Sequence, residues 1–188
     1  MHRVVNATTA GSVGDLGRIA RRLAQDGINI AAVGGGEGLA RGGSVGHIVL
    51  LIDADDGRTD EEILDKLIGL PLSPTQEFAD RTLESVEIFQ AIDVELEDRI
   101  GELAVVGEVL GAAGIDIKGA LSVDVHADWG ILALAFADDD VDQARDLLSN
   151  AQDDQGNLRF KVYPEHGARK RRRKVDNAIK GKVGKGED

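Results

Sequence analysis

The sequence predicts an α+β protein in which one strand–helix–strand–strand–helix–strand unit occurs twice. Three observations carry this. Residues 12–30, "SVGDLGRIARRLAQDGINI", align with residues 99–117, "RIGELAVVGEVLGAAGIDI", at a constant offset of 87. Apolar residues recur at helical spacing in each copy. Short apolar or alternating runs flank each helix, as strands require.

Val13, Gly14, Leu16, Ile19, Leu23, Gly27, Ile28 and Ile30 fall opposite Ile100, Gly101, Leu103, Val106, Leu110, Gly114, Ile115 and Ile117. Asp15 faces Glu102, and Asn29 faces Asp116. Leu16, Ile19, Ala20 and Leu23, like Leu103, Val106, Val109 and Leu110, make an apolar stripe expected to face a core. Gly27 and Gly114 stand where a helix C-terminus favours positive φ.

The remaining elements follow in order. "VVNATTA" and "AIDVELE" precede the helices as strands. In the latter, Ile92, Val94 and Leu96 lie on one face and Asp93, Glu95 and Glu97 on the other. "INIAAV" and "IDIKGAL" follow the helices. "HIVLLIDA" and "GILALAFA" read as central strands. Thr59 to Glu62 form a capping box ahead of Ile63, Leu64, Leu67 and Ile68. A second late helix starts between Asp140 and Gln143, with Val141, Ala144, Leu147 and Leu148 inside. "LRFKVY" closes the second copy. The closing strand of the first falls either near Thr75 to Phe78 or in residues 85–90, beyond the turn signals Pro71 and Pro74. The order is that of two ferredoxin-like (βαββαβ) modules in tandem. The expected division is residues 1–70 for the first module, 71–86 for a linker or closing strand, 87–166 for the second module and 167–188 for a tail.

Composition narrows the function. The 188 residues include no cysteine, which excludes disulfides, thiolate metal sites and a cysteine nucleophile. No secretory leader or membrane-length apolar run is read, so the expectation is a cytoplasmic protein with no membrane association. Nine of the 22 Lys/Arg but three of the 34 Asp/Glu lie in residues 167–188, a net of +6 against −18 for residues 1–166. The acidic body repels polyanions. The tail, poor in apolar residues, is predicted to be disordered. Through residues 169–185 it offers charge to nucleic acid or an acidic partner, although no aromatic residue is interleaved for base stacking.

The stretch "AAVGGGEGLARGGSVGH", residues 31–47, holds seven glycines in seventeen positions. It is not a phosphate loop: it has no lysine, and a strand rather than a helix follows. Arg41 also breaks the dinucleotide glycine pattern. It reads as a mobile hairpin tip, with a flap over a small ligand as the alternative. His2, His47, His126 and His166 lack metal-ligand spacing. Asp53 to Leu64 fails as a calcium loop, since Gly57 and Leu64 stand where ligands are needed. Ser12, Ser44, Ser85 and Ser122 sit in no nucleophile elbow. The chain is expected to be no enzyme and to need no cofactor or metal.

The segments "DRIGELAVVGEVLGAAGIDI" and "GSVGDLGRIARRLAQDGINI" resemble the ACT domain, a small-ligand regulatory module of amino-acid metabolism. The family pattern is D-x-P-G-x-L, a helix, then G-[IV]-[ND]-I. Asp98, Gly101, Leu103 and "GIDI" match in the second copy; Gly14, Leu16 and "GINI" match in the first. Val13 and Ile100 replace the proline, and Gly11 replaces the aspartate of the first copy. The resemblance covers residues 2–163. It implies an allosteric regulator, a homodimer, that binds an amino acid or similar metabolite where modules meet. On that basis the ligand-binding residues would be Ser12, Val13, Gly14, Asn29 and Ile30 in one copy. In the other they would be Asp98, Ile100, Gly101, Asp116 and Ile117. The ligand carboxylate suits the amides after Gly14 or Gly101. Its ammonium suits Asn29, Asp98 or Asp116. The competing expectation is a ligand-free interaction module whose sheet edges dimerise while the tail engages its partner. Removing residues 167–188 should leave the melting temperature unchanged, because the tail lacks apolar surface to bury; differential scanning calorimetry of the truncated chain checks this.

Overall fold

A computed structural model describes residues 2–9, 14–40, 43–53, 57–68, 70, 83 and 85–163. They form an α+β fold: a seven-stranded, antiparallel-paired sheet with four helices. The elements are β1 (His2–Thr9), α1 (Asp15–Gln25), β2 (Asn29–Ala40), β3 (Gly43–Asp53) and α2 (Asp60–Leu67). Then come β4 (Ser85–Glu97), α3 (Glu102–Ala112), β5 (Gly119–Val125), β6 (Trp129–Phe136), α4 (Val141–Asn150) and β7 (Lys161–Tyr163). The strand order is β2-β3-β1-β4-β6-β5, with β7 also paired to β4. Among the described residues no helix is long and apolar enough to cross a membrane.

Strand β4 serves both halves. Ser85 to Gln90 pair with β1, and Gln90 to Glu97 pair with β6. Residues 85–90 therefore supply the strand that closes the first βαββα run. Thr75 to Phe78 lie outside the described residues. The last strand is shorter than "LRFKVY", since only Lys161 to Tyr163 join the sheet. A short 3-10 turn, Asp138–Asp140, precedes α4.

The helix ends keep the repeat's local grammar. Gly27 and Gly114 adopt φ of 73° and 75°. In each case the residue after the glycine donates back to the helix: Ile28 to the carbonyl of Leu23 at 2.9 Å, Ile115 to that of Leu110 at 3.0 Å. This closure satisfies carbonyls that the helix leaves open. Thr59 and Glu62 form the expected capping box on α2.

Three apolar clusters hold the fold. Val5, Ile19, Leu23, Leu50, Ile52, Ile63 and Leu67 join α1 and α2 to one half of the sheet. Ile92, Val94, Val106, Leu110, Leu134, Phe136 and Leu148 join α3 and α4 to the other. The third, with Val4, Leu51, Ala91, Leu121, Ala133 and Ala135, draws on strands of both halves. The sheet thus folds back on itself about β4, and its two helix-free faces meet. Small residues permit the approach: Ala133 and Ala135 are fully buried, and a Cβ on Gly34 of β2 would lie 2.8 Å from Leu121 Cδ2 of β5. The Asn6 side chain crosses this interface and donates to the Lys118 carbonyl at 2.9 Å.

Three expectations are corrected. The glycine stretch is sheet rather than loop: β2 runs through Ala40 and β3 resumes at Gly43. Glycines at 34–36 pair with Val49, Ile48 and His47 and so become strand, because the ladder supplies the hydrogen bonds that their missing side chains cannot replace. The tip, Arg41 and Gly42, lies outside the described residues. Asp93 does not face water; it is 5 % exposed, with its carboxylate 3.3 Å from His2 Nδ1. Leu16 and Leu103, expected in the buried stripes, are exposed, since they stand on the first helical turn beyond the covered part of the sheet.

Gly35 is the tightest glycine of the ladder. Its φ is 151°, and a Cβ there would lie 2.2 Å from the His47 carbonyl oxygen. Gly35→Ala should therefore destabilise the protein by at least ~2 kcal/mol, while Gly36→Ala, whose Cβ meets open space, should stay within ~0.5 kcal/mol. Urea unfolding of both variants measures the contrast.

Candidate functional site

The two helix starts share one backbone. Gly14 has φ 91° and Gly101 φ 97°, and neither helix has a side-chain cap. In α3 the Glu102 amide donates to the Arg99 carbonyl at 3.3 Å. Each helix opens on a buried acid, Asp15 at 3 % and Glu102 at 5 % exposure. An acid there is favoured by the helix dipole, but its burial demands a cation. Arg18 Nη1 meets Asp15 at 3.2 Å. Arg159 meets Glu102 with two bonds of 3.1 Å, which holds the guanidinium above its usual pKa.

A cleft opens beside each start. The first, of about 450 Å³, is lined by Thr9, Gly14, Asp15, Leu16, residues 33–36 of β2 and residues 46–48 of β3. The second, of about 220 Å³, takes Leu96, Glu97, Asp98, Arg99, Glu102, Leu103 and residues of β5 and β6. Thr9, Asp15 and Leu16 stand 87 residues before Leu96, Glu102 and Leu103, so the clefts occupy the same place in the repeat. In the first, glycines replace the side chains that fill the second. Strand β2 pairs only with β3. Alternate amides and carbonyls along Val33 to Gly36 therefore point away from β3, at the sheet edge.

The sequence-predicted residues divide by position. Gly14 lines the first cleft and Asp98 the second, where the Asp98 amide also donates to the Asp128 carbonyl at 2.9 Å. Gly101 and the fully exposed Ile100 stand beside the second. Ser12 and Val13 lie outside the described residues. Asn29, Ile30, Asp116 and Ile117 are not brought to the clefts of their own copies. Asn29 donates to Asp53 Oδ2 at 2.8 Å. Gly34 is five residues further along β2, about 16 Å away at strand rise. Lys118 Nζ holds Asp116 at 2.8 Å, and this hydrogen bond and its charge raise the lysine's pKa. Ile30 and Ile117 pack against the first and second cores.

Leu16, Val33, Ile48 and the glycines 34–36 and 46 were missing from the predicted site. For Val33 and these glycines the signal was the glycine stretch, which was read as a hairpin tip with a flap as the alternative. Among the described residues no group of His, Asp and Glu could hold a metal ion. His2 is buried between Asp53 and Asp93, and His126 stacks on Trp129 with ring centroids 3.9 Å apart.

No family model matches the chain, and no curated protein sequence matches it. Solved structures match in fold. Aspartokinase α and β subunits share 14% identity over 79% of this chain and 90% of that one, with a TM-score of 0.50. The regulatory subunit of aspartate kinase from Thermus thermophilus shares 14% over 78% and 89%, at 0.49. The acetolactate synthase small subunit from Thermotoga maritima shares 15% over 86% and 92%, at 0.34. At these identities the likeness is one of fold: this chain has the fold of ACT-domain regulatory proteins, the family that its two helix-start segments resemble.

Proposed function

We propose that this chain is a non-catalytic regulatory protein, two ferredoxin-like modules in tandem, that binds an amino acid or similar small metabolite and works as a homodimer. The observation that carries the reading is the first cleft. It joins the start of α1, which has no side-chain cap, to residues 33–36 of β2 and 46–48 of β3, in a volume of about 450 Å³ that suits a small molecule. The amides after Gly14 would receive the carboxylate.

Asn29 opens β2 and Asp116 precedes β5, each away from the cleft of its own copy. Under this reading they contribute only across a pair of chains, which is the role the homodimer would have. Signalling would follow from ordering the α1 start and β2, and so changing what the protein presents to its partner. A ligand that binds only the folded state raises stability by ~2.7 kcal/mol at 100 times its dissociation constant.

A melting-temperature screen of the twenty amino acids tests the proposal. At least one should raise the melting temperature of the native chain, and Gly14→Val should abolish that rise. The branched side chain opposes the positive φ and crowds the amides. A chain indifferent to every amino acid would favour the interaction module without ligand.

A further inference from the structure

Resting on that reading for the use of the first cleft, we infer that Leu121 of β5 is a positioning residue for it: without lining the cleft, it fixes from the other half of the chain where the β2 wall stands.

The two halves dock through reciprocal holes. A Cβ on Gly34 of β2 would lie 2.8 Å from Leu121 Cδ2, and a Cβ on Gly119 of β5 would lie 3.2 Å from Val4 Cγ1 of β1. Each half thus offers one glycine and one buried branched side chain to the other. The bond from Asn6 to the Lys118 carbonyl, next to Gly119, fixes β5 along its length. Gly34 and Leu121 stand 87 residues apart and so hold the same position of the repeat. The halves therefore meet at equivalent points, where two leucines would collide. A leucine against a glycine fits, and that is the pair the repeat carries.

The same contact reaches the cleft. Val33 to Gly36 line it, and side chains alternate between the faces of a strand. Val33 therefore points to the cleft while the bare side of Gly34 points to Leu121. Among the described residues β2 pairs only with β3, so no second strand holds its outer edge. Three successive glycines add no side chains to brace it, and glycine weakens a strand interior. The place of this segment is set by β3 on one edge and by Leu121 behind it. Leu121 is itself held: it is buried in the shared cluster and stands opposite Ala133 of β6. Moving Leu121 moves the wall. Moving the wall, as an occupant of the cleft would, presses on the second half.

Residue-resolved amide hydrogen exchange of the full chain tests this. In Leu121→Ala the amides of residues 33–36 that bond to β3 should exchange at least tenfold faster than in the native chain. Strand-edge amides exchange by local opening, so a general loss of stability alone speeds the core amides of Leu50 and Ile52 and leaves these unchanged. Leu121→Val, a milder truncation to a good strand former, should speed them at least threefold and covers the case in which the alanine variant fails to fold. Gly34→Ala overfills the hole and should speed them too. The double variant, Gly34→Ala with Leu121→Ala, should exchange more slowly than either single one, because the new methyl takes space the leucine gave up. Rates at 33–36 within twofold of native in both Leu121 variants, or a double variant whose effect is the product of the two single ones, would overturn the inference while leaving the regulatory reading standing. A chain that no amino acid stabilises overturns that reading, while the exchange rates still decide the role of Leu121.

Discussion

Strand β4 is the constraint on which the rest depends. Its thirteen residues belong to both halves of the sheet, and at Gln90 they pair with β1 on one edge and β6 on the other. Past Gln90 the β1 edge is taken over by β7, which joins at Asp93. The two halves therefore cannot separate without breaking a continuous strand. The fold-back that packs Ala91, Ala133 and Ala135 against Val4 and Leu51 follows from that tether. Large side chains on these faces would hold the sheets apart; alanine and glycine let them close.

The junction of β1 and β7 also buries polar side chains. His2 is 5 % exposed, with Nε2 3.2 Å from Asp53 and Nδ1 3.3 Å from Asp93. Asn29 extends the contacts by donating to the other oxygen of Asp53. One polar chain thus crosses β2, β3, β1 and β4. Removing one partner of such a buried set leaves an uncompensated charge, which penalises any other register of the shared strand.

Much of the fold was legible because the repeat writes the same instruction twice. Gly27 and Gly114 could be read as helix stops, and Thr59 to Glu62 as a helix start, because the physics is local. The glycine stretch was misread for the opposite reason. Glycine favours loops by its own freedom, and only long-range pairing with β3 and close approach to Leu121 make residues 34–36 a strand. Asp93 was placed on a polar face by alternation, which is blind to a histidine 91 residues away. The helix starts at Gly14 and Gly101 were legible from motif spacing. The clefts beside them were not, because their walls come from strands that the sequence separates from the motif.

The repeat's divergence is most informative at the acids that open α1 and α3. Asp15 and Glu102 share position and burial, yet their cations come from different places. Arg18 lies one turn along the same helix; Arg159 lies 57 residues away, ahead of β7. The first acid meets a cation of its own helix. The second ties the α3 start to the chain before β7 through a bidentate bond, whose fixed geometry couples that cleft to the closing strand of the sheet. One backbone instruction, written twice, thus draws its cation from the same helix in one copy and from the far end of the second half in the other.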